Sequence, residues 1–344
     1  MSKELVFYVG GYAAPGSAGL LKCRMAGDRL SLLESNDELC NPSWVLPHPT
    51  LPVLYAVEET AEGRLTALTT AGGLRKAVSL PTGGADPCHI CLSPEGRHLL
   101  VSNYTGGSLA VFRLDEKGLP AERTQLLRHV PAPVPGRISS RQEGPHIHFS
   151  MFRGRQAYVN DLGLDQIAIY DWDAESGRLG PRAEILPFPA GTGPRHSLLS
   201  PDGQRLYALC ELTAQLRVFR REAGWQPLQT VSPLAGCDLD FSRFAWSMAA
   251  AVKWAGPDAL CFSIRGHNSL VRCPVLPDSR LGKALLFPCA GKTPRDFLPW
   301  GSDVLVALQD SDRVDVLRWE GAELRPVCQM PALRPTCLAA APGD

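Results

Sequence analysis

At 344 residues, with 35 Lys plus Arg balanced by 35 Asp plus Glu, the chain has no formal net charge, so neither nucleic acid nor an anionic membrane is expected as a partner. A hydrophobic fraction of 44% and a charged fraction of 20% exclude a disordered or solvating chain and allow a sizeable core. The 30 prolines, near twice the usual share of ~5%, suit a chain of many short strands and turns.

In chain order, the opening MSKELVFYVGG lacks the long apolar stretch of a signal peptide. No window approaches the ~18 uninterrupted apolar residues of a membrane span. The 11 cysteines, odd in number and irregularly spaced, read as reduced and mostly buried, and a cytoplasmic location is expected. LVFYVGGYAAPGSAGLLKCRM reads as the later strands of a repeat whose beginning is missing. The first whole unit opens at Pro42 (PSWVLPHPTLPVLYAVEE) and the second at Pro87 (PCHICLSPEGRHLLVSNYTGGSLAVFR). A third opens at Pro145 (PHIHFSMFRGRQAYVNDLGLDQIAIY) and a fourth at Pro194 (PRHSLLSPDGQRLYALCELTAQLRVFR). A degenerate fifth lies near Ala249 and a sixth opens at Pro294. The terminal RPTCLAAAP resembles an opening strand and then stops.

Units of roughly 40 to 60 residues are propeller blades. Within each unit an alternating segment, a tight S-P-D-G or S-P-E-G turn, a second apolar run and an L-x-V-F run make three strands. A weaker fourth follows, as in LRKAVSLPTGG. The expected fold is an all-β seven-bladed propeller, one domain over 1–344, with four antiparallel strands per blade. The two partial repeats at the termini pair to close the ring and remove exposed sheet edges.

This pattern locates a site. The start of the first strand and the end of the second share one face, and the first strand lies nearest the axis. His89, His146, His148, Arg195, His196, Arg295 and Asp296 stand at strand openings. Glu58, Glu59, Asn103, Tyr104, Asp161, Glu211, Arg265, Gln309 and Asp310 stand at second-strand ends. Core positions are monotonously apolar, whereas these differ from blade to blade and are nearly all polar, as a ligand site at one channel mouth requires. Asp161 and Asp310 read instead as turn-capping carboxylates. His146 and His148, two apart on a strand, could share a face and chelate a metal. Cys88 and Cys91, three apart, would face opposite sides. No metal and no cofactor is expected, and substitutions at the mouth, outside the core, should spare the fold.

NPSW, GGADPCHI, SNYTGGSLAVF, RQEGPHIH, DLGLDQIAIY, GPRHSLLSPDG, RGHNSL, PRDF and QDSD together resemble the bacterial 6-phosphogluconolactonase family of propellers, across essentially the whole chain. That family also includes a fungal carboxymuconate lactonizing enzyme. The resemblance implies a catalytic set of His148, Arg195, Glu211 and Arg265. It departs where A-A-E-I reads AAAV, putting Ala251 in place of a Glu, and at Cys210 and Ile264 in place of two Asn. The implied activity is metal-independent hydrolysis of a sugar lactone, with 6-phospho-glucono-1,5-lactone and the pentose phosphate route as first expectation. A carboxymuconate-type cycloisomerase or a non-catalytic scaffold is the alternative. His148, whose imidazole ordinarily titrates near ~6.5, is the expected base, with Glu211 as rival or orienting group. Arg195 and Arg265 would meet an oxyanion or phosphate. His89, His146, His196, Arg295, Tyr104 and Gln309 would bind substrate. The partner is a small molecule, and the chain is expected to be a monomer or weak homodimer.

Overall fold

The structure, a computed structural model, describes residues 4–131, 138, 140–235, 248–321 and 323–343. The outermost residues of the unit expected over 1–344 therefore lie outside the described residues. Seven four-stranded antiparallel sheets follow one another. Blade 1 begins with the innermost strand Val45–Pro47, blade 2 with Pro87–Leu92, blade 3 with Ile147–Arg153 and blade 4 with Pro194–Leu199. Blade 5 begins with Met248–Trp254 and blade 6 with Pro294–Trp300. Blade 7 is built from Pro335–Ala340 followed by Leu5–Gly11, Leu20–Ala26 and Arg29–Asn36. The C-terminal strand pairs directly with the N-terminal one, Val9 opposite Leu338, so the split repeat is one sheet. Innermost strands touch their neighbours all the way round, blade 6 against blade 7 and blade 7 against blade 1 included, which closes the ring.

Burial follows strand position. The second strands are wholly or almost wholly buried, as in Val53–Glu58, His98–Asn103 and Ala259–Arg265. Outermost strands such as Arg29–Asn36 and Arg178–Pro187 are mostly exposed. The core is a series of inter-blade interfaces rather than one centre. Tyr207, Leu209 and Val218 of blade 4 pack on Phe262, Ile264 and Val271 of blade 5. Leu5, Phe7 and Val9 of blade 7 pack on Leu305, Ala307 and Val314 of blade 6. Each such side chain contributes roughly 1.5–3 kcal/mol on burial, so every blade depends on both neighbours.

The S-P-x-G turns form as expected: Gly96 (φ 71°) donates its N–H to the Ser93 carbonyl and Gly203 (φ 67°) donates to Ser200. Blades 3 and 6, which lack that motif, substitute two-residue hairpins. Gly154-Arg155 links Arg153 to Gln156, and Gly301-Ser302 links Trp300 to Asp303, with both glycines at positive φ as such turns require.

Candidate active site

Two recurring backbone devices build the mouth. First, the residue ahead of the innermost strand adopts a left-handed conformation: Asn41, Asp86, Gly193, Thr293 and Arg334 all have φ between 38° and 61°, each directly before a proline. Its carbonyl accepts the N–H of the residue just beyond the second strand. The acceptors Asn41, Asp86, Gly193, Thr293 and Arg334 serve Glu59, Tyr104, Glu211, Gln309 and Tyr12 at 2.8–3.1 Å. These residues form a rim. Second, the innermost strand carries a bulge one residue after it starts, so that one residue has no partner across the ladder and its side chain is re-aimed. The bulged residues are Cys88, His148, Arg195, Arg295 and Thr336.

The bulge corrects the alignment of the third unit. Ile147, not Pro145, occupies the place that Pro87, Pro194 and Pro294 hold in their blades. His148 is therefore the counterpart of Arg195 and Arg295, while His146 precedes the strand. Alternation does not carry the two imidazoles to one face. His146 Nδ1 lies 3.2 Å from the Tyr104 carbonyl and Nε2 lies 3.0 Å from Glu143, with the ring stacked on Tyr104.

His89 and His196, expected as substrate ligands, lie deeper on the innermost strands. They occupy the position after the bulge, where the strand resumes alternation, and both are buried. Trp44 meets His89 at 4.5 Å between ring centroids, His89 meets Phe149 at 4.3 Å, and Phe149 meets His196 at 4.9 Å. Trp44 of blade 1 also reaches His196 of blade 4 at 5.7 Å. Those blades are not neighbours, so the rings meet across the axis and floor the mouth. His196 Nε2 lies 3.1 Å from Arg195 Nη1. Asp296, in the same layer, accepts the Leu338 N–H and pairs with Lys253 at 2.7 Å. Ala251 is fully buried there and contributes no charge.

Above this floor the structure gathers the four residues that the resemblance implies. Glu211 is 2% exposed and accepts three guanidinium groups. Arg195 Nε lies 2.7 Å from its Oε2, Arg265 Nη2 lies 3.0 Å from the same oxygen, and Arg141 Nη2 bonds Oε1. Burial alone would raise the carboxyl pKa, but the three cations outweigh it and hold the group down to about 2. Arg195 also donates to the Ala250 carbonyl and Arg265 to that of Ala249. His148 is 5% exposed, and its pKa is pushed well below 6.5, first by burial and then by Arg195 and Arg295. It is a neutral imidazole, and among the described residues nothing hydrogen-bonds its Nδ1 or the Nε–H of Arg265. A buried donor and a buried acceptor without partners are costly unless a ligand completes them.

Arg141, within RQEGPHIH, joins the site although the blade pattern does not mark it. It comes from the connection between blades 2 and 3 and reaches Glu211 of blade 4, the Tyr104 hydroxyl at 3.0 Å and Met248 Sδ at 2.9 Å. Tyr12 and Glu59 complete the opposite side. Arg295 donates to Gln309 Oε1 at 3.1 Å and to the Tyr12 hydroxyl at 2.7 Å, and Tyr12 donates to Glu59 at 2.8 Å. Tyr12 was legible as the rim counterpart of Tyr104, since GGY stands where blade 2 has SNY. Other polar residues expected at the mouth serve the frame. Asp161 accepts the N–H groups of His146 and Leu164 and contacts His129 Nδ1, Asp310 accepts from Thr293 and Gln309, and Glu58 and Asn103 bond within their own blades.

A propeller mouth carrying a neutral histidine beside arginines shared on one carboxylate has the make-up of a site for a carbonyl compound bearing or developing negative charge. Residues 6–339 match the family model described as "Lactonase, 7-bladed beta-propeller", and the chain belongs to that family. It is 29% identical to a 6-phosphogluconolactonase of Formosa agariphila over 304 residues, 83% of this chain and 84% of that one. It is 27% identical to the 6-phosphogluconolactonase of Bacillus subtilis over 310 residues, 86% and 85% of the two chains. The solved periplasmic gluconolactonase of Pseudomonas aeruginosa superposes with a TM-score of 0.88 at 27% identity, covering 98% of this chain and 99% of that one.

Proposed function

We propose that this chain hydrolyses a sugar lactone, with 6-phospho-glucono-1,5-lactone as substrate and 6-phosphogluconate, an intermediate of the pentose phosphate route, as product. The observation that carries the reading is a buried His148, its Nδ1 without a partner among the described residues, within the field of Arg195 and Arg265 of the Glu211 cluster. Water attacks the lactone carbonyl carbon as Nδ1 takes its proton. The oxyanion that forms is met by the free Arg265 Nε–H and by Arg195. When the tetrahedral species collapses, the ring C–O bond breaks and the leaving oxygen recovers the proton from His148. Glu211 has both oxygens engaged by guanidinium groups and holds Arg195 and Arg265 in register. The buried, unpaired thiols of Cys23, Cys210 and Cys337 suit a reducing compartment, and the cytoplasmic location is kept as part of the proposal.

The direct test is hydrolysis of the phosphorylated lactone by the purified chain with the spontaneous rate subtracted; a rate equal to the spontaneous one would exclude the activity. Because side chains supply every proton and every charge in this scheme, incubation with EDTA followed by desalting is expected to leave the rate unchanged. Loss on chelation, restored by a divalent ion, would replace this mechanism with a metal-assisted one.

A further inference from the structure

We propose that Arg295 is the receptor for the substrate's phosphate ester, the anionic group remote from the reacting carbonyl; this rests on the lactonase reading above and specifies how that site selects its substrate. The arginines of the mouth fall into two groups. Arg141, Arg195 and Arg265 all spend their charge on Glu211. Arg295, half-buried, has no carboxylate ion-pair partner among the described residues. Its Nη1 rests on the neutral amide oxygen of Gln309, its Nη2 on the neutral Tyr12 hydroxyl, and its face lies 5.0 Å from the centre of the Tyr12 ring. The carboxylate on this side, Glu59, is turned to other donors: one oxygen accepts the Tyr12 hydroxyl at 2.8 Å and the other accepts Ser43 Oγ. Tyr12 thus stands between the cation and the acid. A second guanidinium, Arg334, also lies against the Tyr12 ring at 5.2 Å.

Glu59 and Glu211 favour the charged form of Arg295 from a distance, but neither pairs with it directly, so a ligand anion would be its first contact ion. Arg295 carries five N–H groups and uses two, leaving part of its planar fork for the bidentate contact that phosphate favours. Its position fits a bound lactone. Arg195 and Arg295 occupy the same bulge position in blades 4 and 6, where blade 5 between them carries the small Ala250 and Ala251. A sugar-sized molecule can lie over blade 5 with its carbonyl at His148, Arg195 and Arg265 and its phosphate at Arg295.

The test is calorimetric binding of 6-phosphogluconate and of unphosphorylated gluconate to the wild-type chain and to Arg295→Ala and Arg295→Lys. Tm measured for each variant registers its fold, and Arg295→Lys keeps the stem and charge if the alanine variant does not fold. Removing one partner of a buried charge pair is expected to weaken 6-phosphogluconate binding by about 30-fold or more in Arg295→Ala. Arg295→Lys should fall between, since it lacks the fork. Gluconate affinity should change several-fold less. Undiminished 6-phosphogluconate binding in both variants, or an equal loss for both ligands, would overturn the assignment. These readings use product, not turnover, so they stand even if no lactone is hydrolysed; that outcome would fail the activity and not the phosphate site.

Discussion

Replacing Glu211 with Gln is expected to lower the stability of the whole propeller by about 3 kcal/mol or more, the usual scale when one member of a buried ion pair is removed. The sequence alone suggested that the mouth would tolerate substitution. Burial of Glu211 and Arg195 reverses that expectation, because the amide would leave at least two buried guanidinium groups uncompensated. Only Arg141, with 30% of its side chain exposed, could turn to water. The effect has a pH signature. The folded pKa of Glu211, about 2, lies below the unfolded value of about 4.3. Its contribution is therefore fully present above the unfolded value and is lost as the pH falls through the folded one. The difference in unfolding free energy between wild type and Glu211→Gln should be constant above about pH 5 and shrink towards pH 2. Denaturant melts at pH 7, 4 and 3 would measure it, and equal midpoints at pH 7 would show that the carboxylate is not a structural anchor.

His148→Ala is expected to reduce kcat by about 100-fold or more, the ordinary contribution of a positioned general base. Its stability cost should be smaller than that of Glu211→Gln, since Nδ1 has no partner to abandon among the described residues. The pH profile separates a base from a merely space-filling ring. Only the neutral imidazole accepts a proton, and burial with the neighbouring arginines extends that form well below pH 6.5. The acid limb of kcat/KM, which reports the free enzyme, should therefore lie below 6.5. A bound phosphate offsets the arginine field, so the limb of kcat should lie at a higher pH than that of kcat/KM. Both limbs should vanish in His148→Ala. A wild-type kcat/KM limb at 6.5 or above, or a variant with undiminished turnover, would remove His148 from the mechanism. Arg195→Lys and Arg265→Lys should also lose most activity, because a point charge cannot hold Glu211 and an oxyanion together.

The fold was legible because a propeller writes itself several times. PRHSLLSPDG and PCHICLSPEG name the same strand and turn, and RPTCLAAAP could be recognised as the missing start of blade 7. The general place of the site followed from strand direction. What could not be read was the bulge, a backbone event with no obligatory residue type. The opening proline alone does not tell that the bulge falls on Cys88 and Arg195 and that His89 and His196, one residue further on, approach each other at 6.1 Å between ring centroids. In blade 3, the P-H-I-H run imitated the P-x-H of its neighbours and hid a two-residue offset. Arg141 escaped for another reason. It lies on a connection outside the repeat, where position in the blade says nothing about reach.

The floor of rings from Trp44 to His196 has a consequence for traffic. Because these side chains meet across the axis, they narrow the passage beneath the catalytic cluster among the described residues. A product molecule still seated on the arginines occupies the place that the next substrate needs. Inhibition by product should be strictly competitive. In a cell that accumulates the open-chain acid, the fraction of mouths already occupied would then throttle lactone hydrolysis.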